Sequence, residues 1–261
     1  MTQQGRIAVL TNYREEGEAI IIGARSRGLI PNAWLKSDPV AKETSDAFAK
    51  RMIEEDGVKG VGGFSLCYGF VQDVVKKEGG LRIVSNRTPD VKDVIRLLDG
   101  QSAETHALSN AAYGDRTWPK VVNGEAWTKK AIKESVAAHE SRDQLVQRLL
   151  GILTTDTMPR QKENEEWDMY LNQLRHSIFV PSIGRDHLDE HKMPAHEVGD
   201  LVKQKAVDAT SGCYGTQKNI VVLVNKEGKA YYLERTLYDG DAKPIEKGKG
   251  DREFEFQIEG W

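Results

Sequence analysis

Arg6-Ile-Ala-Val-Leu-Thr-Asn12 is the stretch on which the fold turns. Its apolar run reads as a buried β-strand, and only five residues stand before it. A chain that begins so abruptly in a core strand is expected to lack something upstream. Ala19–Ile22 reads as a second short strand. Strand signals return at the carboxyl end, where Asn219–Val224 and Ala230–Tyr238 flank Asn225-Lys-Glu-Gly228, a four-residue hairpin turn with glycine available for positive φ. Beyond them Phe254, Phe256 and Ile258 alternate with Glu255, Gln257 and Glu259, the period of a half-buried strand.

Between the two ends the pattern is mostly helical. Asp38-Pro39 suits a helix start, and a helix from Pro39 to about Asp56 lines up Val40, Ala47, Phe48 and Met52, with Gly57 placed as a left-handed cap. Phe64–Val71 and Leu81–Ser85 read as a strand pair joined by a Lys-Lys-Glu-Gly-Gly turn. Trp118–Leu153 reads as two helices, the first opened by Pro119 and the second by Ser141, with Leu145, Val146, Leu149, Leu150 and Leu153 at helical spacing. Asn164–Arg175 is a further helix, with Trp167, Tyr170, Leu171 and Leu174 on one face. Helices do not alternate one for one with strands, which disfavours a doubly wound sheet. The pattern predicts an α+β protein with antiparallel sheets, counted as one domain over residues 1–261.

The chain's 37 basic and 40 acidic residues leave a net charge of −3, so no bulk electrostatic attraction favours nucleic acid or anionic lipid. No apolar run approaches a membrane-spanning length, and Met1-Thr2-Gln3-Gln4-Gly5 carries none of the apolar region of a secretory signal. Two cysteines, Cys67 and Cys213, cannot build a disulfide framework for a chain this size. The expected location is cytoplasmic and reducing.

Several motifs bear on chemistry. Gly57-Val-Lys-Gly60-Val-Gly62-Gly63 has the glycines of a phosphate loop but the wrong order, since it follows a helix and opens a strand. Gly63-Phe-Ser65-Leu-Cys67 nearly matches a nucleophile elbow, yet the residues continue as a strand. Cys213 has no adjacent base to activate it. His187-Leu-Asp-Glu190-His191, with His196 beyond, fits an inverted zinc-hydrolase string; its nearly all-charged surroundings also fit a solvated loop without metal. Asn86-Arg-Thr88 matches a glycosylation acceptor that carries no meaning without secretion. The polar cluster Thr105–Asn110 followed by Tyr113-Gly-Asp115-Arg116-Thr-Trp118 stands out more. Leu108–Asn110 is read as a strand end, from which the Asn110 amide can face a developing oxyanion. Asp115 and Arg116 form either part of a site or an Asp–Arg pair that caps a helix.

Taken in order, Arg6–Arg14, Ser26-Arg-Gly28 with Asn32-Ala-Trp-Leu35, Gly62-Gly-Phe64, His106-Ala-Leu-Ser-Asn110, Trp118-Pro-Lys-Val121, Tyr214-Gly-Thr-Gln217 and Glu234-Arg-Thr236 resemble the Transport and Golgi organization protein 2 family, also called the NRDE family. The polar stretch after Val180 and the closing Gly250–Trp261 resemble its fungal branch. The resemblance implies an Ntn-hydrolase-like αββα sandwich, two antiparallel sheets face to face between helical layers. It implies a cytosolic protein of Golgi organisation and protein secretion, in peripheral association with the Golgi and handling a small molecule such as heme or an acyl lipid. The ligand pocket it implies holds Asn110, Asp115, Arg116 and Arg235, with no metal and no cofactor.

Family members are similar to cysteine amidohydrolases that use an amino-terminal Cys as nucleophile, its own amine as base and an Asn at the oxyanion. In that alternative Asn110 takes the oxyanion position and Arg235 a strand position in the pocket. The family begins Met-Cys and soon carries Asn-Arg-Asp-Glu; here Thr2 follows Met1 and no Asn-Arg-Asp-Glu occurs. The sequence thus predicts an amino-terminally shortened, incomplete domain that is not an enzyme, with an exposed sheet edge that favours self-association.

Overall fold

The computed structural model describes residues 1–12, 26–37, 43–55, 61–76, 78–98, 104–160, 170, 172–182 and 214–261. Their contacts group them into two compact units, one of residues 1–117, 223–231 and 255–261, the other of 118–222 and 232–254.

In the first unit, β1 (Arg6–Asn12), β2 (Phe64–Phe70), β3 (Leu81–Ser85) and β4 (Ile95–Leu97) form an antiparallel sheet in that order. Arg6 faces Phe70 at one end of the β1/β2 ladder and Asn12 faces Phe64 at the other. The sheet is covered on one face by α1 (Leu29–Leu35) and α2 (Ser45–Glu54). Because side chains alternate along a strand, Ala8 and Leu10 of β1 meet that cover together with Leu66 and Tyr68 of β2. Trp34, Phe48, Phe64, Leu66, Tyr68 and Val84 are wholly buried there. A short α3 (Val71–Lys76) links β2 to the turn before β3.

Three expectations change here. β1 is an edge strand among the described residues and Val9 is 52% exposed, so it is half-buried rather than a core strand. An apolar run reports one covered face and cannot tell it from two. The helix expected from Pro39 begins instead at Ser45, because Thr44 is extended and its hydroxyl accepts from the Ala47 N–H, a complete N-cap. Residues 38–42 and the Gly57 cap lie outside the described residues, as does the Ala19–Ile22 strand. Leu108–Asn110 is not a strand end; residues 104–109 do not form a strand.

In the second unit α4 (Pro119–Ala137) and α5 (Arg142–Leu153) pack on each other as an antiparallel hairpin. Pro119 sits at the first helical position, where its missing N–H costs nothing. Ser141 and Gln144 form a full capping box at the start of α5. Of the expected helix at Asn164–Arg175, residues 164–169 and 171 lie outside the described set and Asn172–Arg175 forms a 3-10 turn.

The second sheet has the order β5 (Lys218–Val224), β6 (Lys229–Thr236), β7 (Asp251–Gln257). The Asn225–Gly228 hairpin forms as read. Gly228 takes φ +78°, and a Cβ there would collide with the Trp261 ring, whose Nε1 donates to the Lys226 carbonyl at 2.9 Å. Main-chain bonds from Thr236 N to Gly250 O and from Ile258 N to Gly228 O run β7 antiparallel to β6. β7 is not half-buried as its alternation suggested: Phe254 is 47% exposed, and only Ile258, just past the strand, is fully buried. With two antiparallel sheets and helices between them in sequence, the chain is α+β.

Candidate functional site

Strand ends expose backbone groups that the ladder no longer pairs, and polar side chains collect there to satisfy them. At the Asn12 end of the first sheet three such residues converge. The Asn110 Nδ2 donates to the Asn12 carbonyl at 2.9 Å. The Phe64 N–H donates to Asn86 Oδ1 at 3.3 Å, and Arg27 Nη1 donates to the Gly63 carbonyl at 3.0 Å. Asn86 is presented by a tight turn after β3, in which the Ser85 N–H donates to Thr88 Oγ1 at 2.9 Å. An asparagine amide carries two N–H donors, so the Asn12 carbonyl occupies one of those on Asn110.

The loop that supplies Asn110 has its own polar framework. His106 Nδ1 shares a 2.8 Å hydrogen bond with the Tyr113 hydroxyl. Glu104 Oε2 lies 3.1 Å from the other ring nitrogen, near enough to attract an imidazolium but without hydrogen-bond geometry. Asp115 Oδ1 accepts from the Thr117 N–H at 2.9 Å and the Thr117 hydroxyl at 2.7 Å, closing a turn just before α4. Arg116 beside it is exposed. The arrangement offers amide and guanidinium donors and an imidazole on an open rim, which suits recognition of polar or anionic groups.

Arg235 belongs to the second unit. It lies on β6, 7% exposed, and grips Asp251 of β7 through Nε to Oδ1 at 2.8 Å and Nη2 to Oδ2 at 2.6 Å. The hydrogen bond from Arg235 holds the Asp251 carboxyl below its ordinary range against the opposing effect of burial. A guanidinium fork paired in this way serves the sheet first.

Cys67 lies on β2, and burial pushes its thiol up to about 11. At neutral pH almost none of it is thiolate, so iodoacetamide should leave Cys67 unmodified in the folded chain and label it within minutes once urea is added. Rapid labelling of the native protein at Cys67 would contradict this placement. Ser65 is an ordinary buried strand residue, as read. Cys213, His187, Glu190, His191 and His196 lie outside the described residues. Among the described residues no three His, Cys, Asp or Glu side chains gather as a metal would require. No helix among them is long and apolar enough to cross a membrane.

Reading the sequence found Asn110, Asp115 and Arg116 but passed over Arg27 and Asn86. Arg27 stands in one of the blocks that carry the resemblance, and Asn86 opens a glycosylation pattern that has no meaning without secretion. The structure brings the segments of four quoted blocks, at Asn12, Arg27, Gly63-Phe64 and Asn110, to one end of one sheet.

Known proteins align with the whole of this arrangement. The chain is 24% identical to an uncharacterised protein of Saccharomyces cerevisiae, over 99% of this chain and 80% of the yeast protein. It is 27% identical to the Transport and Golgi organization 2 homolog of Mus musculus, over 92% of this chain and 72% of the mouse protein. The corresponding Homo sapiens homolog is 26% identical over 99% of this chain and 77% of its own length. The family described as Transport and Golgi organisation 2 matches residues 1–239, which takes in the first sheet, its polar end, the α4/α5 hairpin and the β5/β6 hairpin. On that match the chain belongs to the Transport and Golgi organisation 2 family.

Proposed function

We propose that the chain serves Golgi organisation and protein secretion from the cytosolic side, in peripheral association with the Golgi, by handling a small molecule at the Asn12 end of the first sheet. The observation that supports this most is the convergence of the segments around Asn12, Arg27, Gly63 and Asn110 at that end, in a chain matched by the family over residues 1–239. Asn110, Asp115 and Arg116 are the ligand-facing residues of this reading, with heme or an acyl lipid as the ligand class. Arg235, gripped by Asp251, we assign to holding β6 against β7. We extend the proposal to the architecture: an Ntn-hydrolase-like αββα sandwich within one domain over residues 1–261.

The amidohydrolase alternative needs a reactive nucleophile, and the cysteine thiol among the described residues, Cys67, is the opposite of one. Deleting the gene from its own organism tests the favoured reading. Secretion of a reporter protein should slow and Golgi markers should disperse, with both restored by the wild-type chain. Heme absorbance or an extracted acyl lipid should accompany the protein purified from those restored cells. Unchanged secretion and unchanged Golgi morphology would overturn it.

A further inference from the structure

At the opposite end of β1 from Asn12, about 20 Å away at the rise of an extended strand, lies a cleft of about 300 Å³ walled by Arg6, Glu43, Thr44, Ser45, Phe70 and Asp73. It is independent of the Asn110 rim and of the function proposed there. Its size stands at the lower end of the range for small-molecule sites, with room for an amino-acid-sized molecule but not for a tetrapyrrole.

Its groups are chemically specific. Arg6 is 4% exposed, with its guanidinium stacked 4.2 Å from the Trp34 ring centre and 4.7 Å from that of Phe70. Its hydrogen bonds go to two neutral carbonyls, those of Trp34 at 3.4 Å and Glu43 at 3.2 Å, so no hydrogen-bonded carboxylate among the described residues neutralises it. The Glu43 carboxylate attracts Arg6 but is taken up by Arg51, at 2.9 and 3.2 Å, and by the Ser37 hydroxyl at 2.9 Å. Ser45, 3% exposed, keeps a buried hydroxyl with no hydrogen-bond partner among the described residues. A buried polar atom left unsatisfied is costly, so such an atom in a cleft wall marks where a ligand atom belongs. Ser45 is also the first residue of α2, whose amino-terminal N–H groups and dipole favour negative charge. Asp73, by contrast, is a carboxylate that no side-chain hydrogen bond or ion pair reaches among the described residues; burial raises its carboxyl above the ordinary range, outweighing the more distant attraction of Arg82 and Lys76.

A cation and an anion in the same small cleft, neither hydrogen-bonded to a counter-ion among the described residues, call for a ligand carrying both signs. We infer that the cleft binds a small zwitterion of the α-amino acid class, its carboxylate held by Arg6, the Ser45 hydroxyl and the start of α2, its ammonium by Asp73, and its side chain against Phe70. A bare anion would meet Asp73 without compensation, and a bare amine would meet Arg6.

Titration calorimetry on the purified chain with three compounds of one shape tests this: L-leucine, 4-methylvalerate, which lacks the ammonium, and isoamylamine, which lacks the carboxylate. L-Leucine should bind, and each truncated analogue should bind at least tenfold more weakly, the loss expected for one charge-assisted contact. Ser45→Ala removes a hydroxyl with no partner among the described residues, and Asp73→Asn keeps the shape. Both variants should melt like the wild type yet bind L-leucine at least tenfold more weakly. Failure of L-leucine to bind at millimolar concentration, equal binding of 4-methylvalerate, or undiminished binding by both folded variants would overturn the inference.

Discussion

Replacing Trp34 by alanine should cost the first unit about 3–5 kcal/mol, the range for deleting a large aromatic from a packed core. Trp34 is wholly buried, and its ring meets those of Phe48, Tyr68 and Phe70 edge-on, each at 5.2 Å between centroids. Its Nε1 donates to the Ile7 carbonyl at 3.1 Å, and the Arg6 guanidinium lies on its face. Alanine at this place empties the space that α1 fills over β1 and β2. It also leaves the Ile7 carbonyl without its donor and Arg6 without its principal stacking partner. Urea unfolding followed by circular dichroism should show the midpoint falling with little change in slope. Val9→Ala, at an edge position that is 52% exposed, should change stability by no more than about 0.5 kcal/mol. A Trp34→Ala loss as small as that of Val9→Ala would mean that the aromatic cluster is not the core of this unit.

Arg235→Ala should have a comparable effect on the second unit, about 3–5 kcal/mol, because it strands the Asp251 carboxylate at a site that is only 16% exposed. Removing both partners, as in Arg235→Met with Asp251→Leu, should recover most of that loss, since no charge is then left behind. The pair also sets a pH dependence. The folded Asp251 carboxyl lies below its ordinary value of 3.8, so its stabilisation is fully present above that value and is lost as pH falls through the lower folded value. Wild-type stability should therefore fall more steeply on acidification below about pH 4 than that of the double variant. Parallel acid profiles for the two proteins would count against a stabilising pair.

Elements with a local signal were legible in the sequence. Pro119, Ser141 with Gln144, and Asn225 to Gly228 each fix backbone geometry through their own chemistry, and the structure has α4, α5 and the β5/β6 hairpin where those residues stand. Elements stabilised only by tertiary packing were not. α1 is seven residues with Pro31 in its first turn and no side-chain cap, and what keeps it helical is the burial of Ile30 and Trp34. β4 is three residues held by its ladder with β3. Composition showed that β1 is apolar but not that it would be an edge, and β7 alternates in sequence without alternating in burial. Asn110 could be singled out from its neighbours. Its bond to the Asn12 carbonyl, 98 positions away, and the arrival of Arg27 and Asn86 nearby are products of the sheet alone.

That polar end of the first sheet carries the function proposed for this chain, and Asn110 is the residue on which to test it. In cells from which the gene has been removed, secretion of a reporter protein should be restored by the wild-type chain. Asn110→Ala should accumulate to the same level and melt within a few degrees of the wild type, because the one hydrogen bond it removes here, to the Asn12 carbonyl, is solvent-exposed, and yet fail to restore secretion. Full rescue by Asn110→Ala would contradict a working site at this end of the sheet.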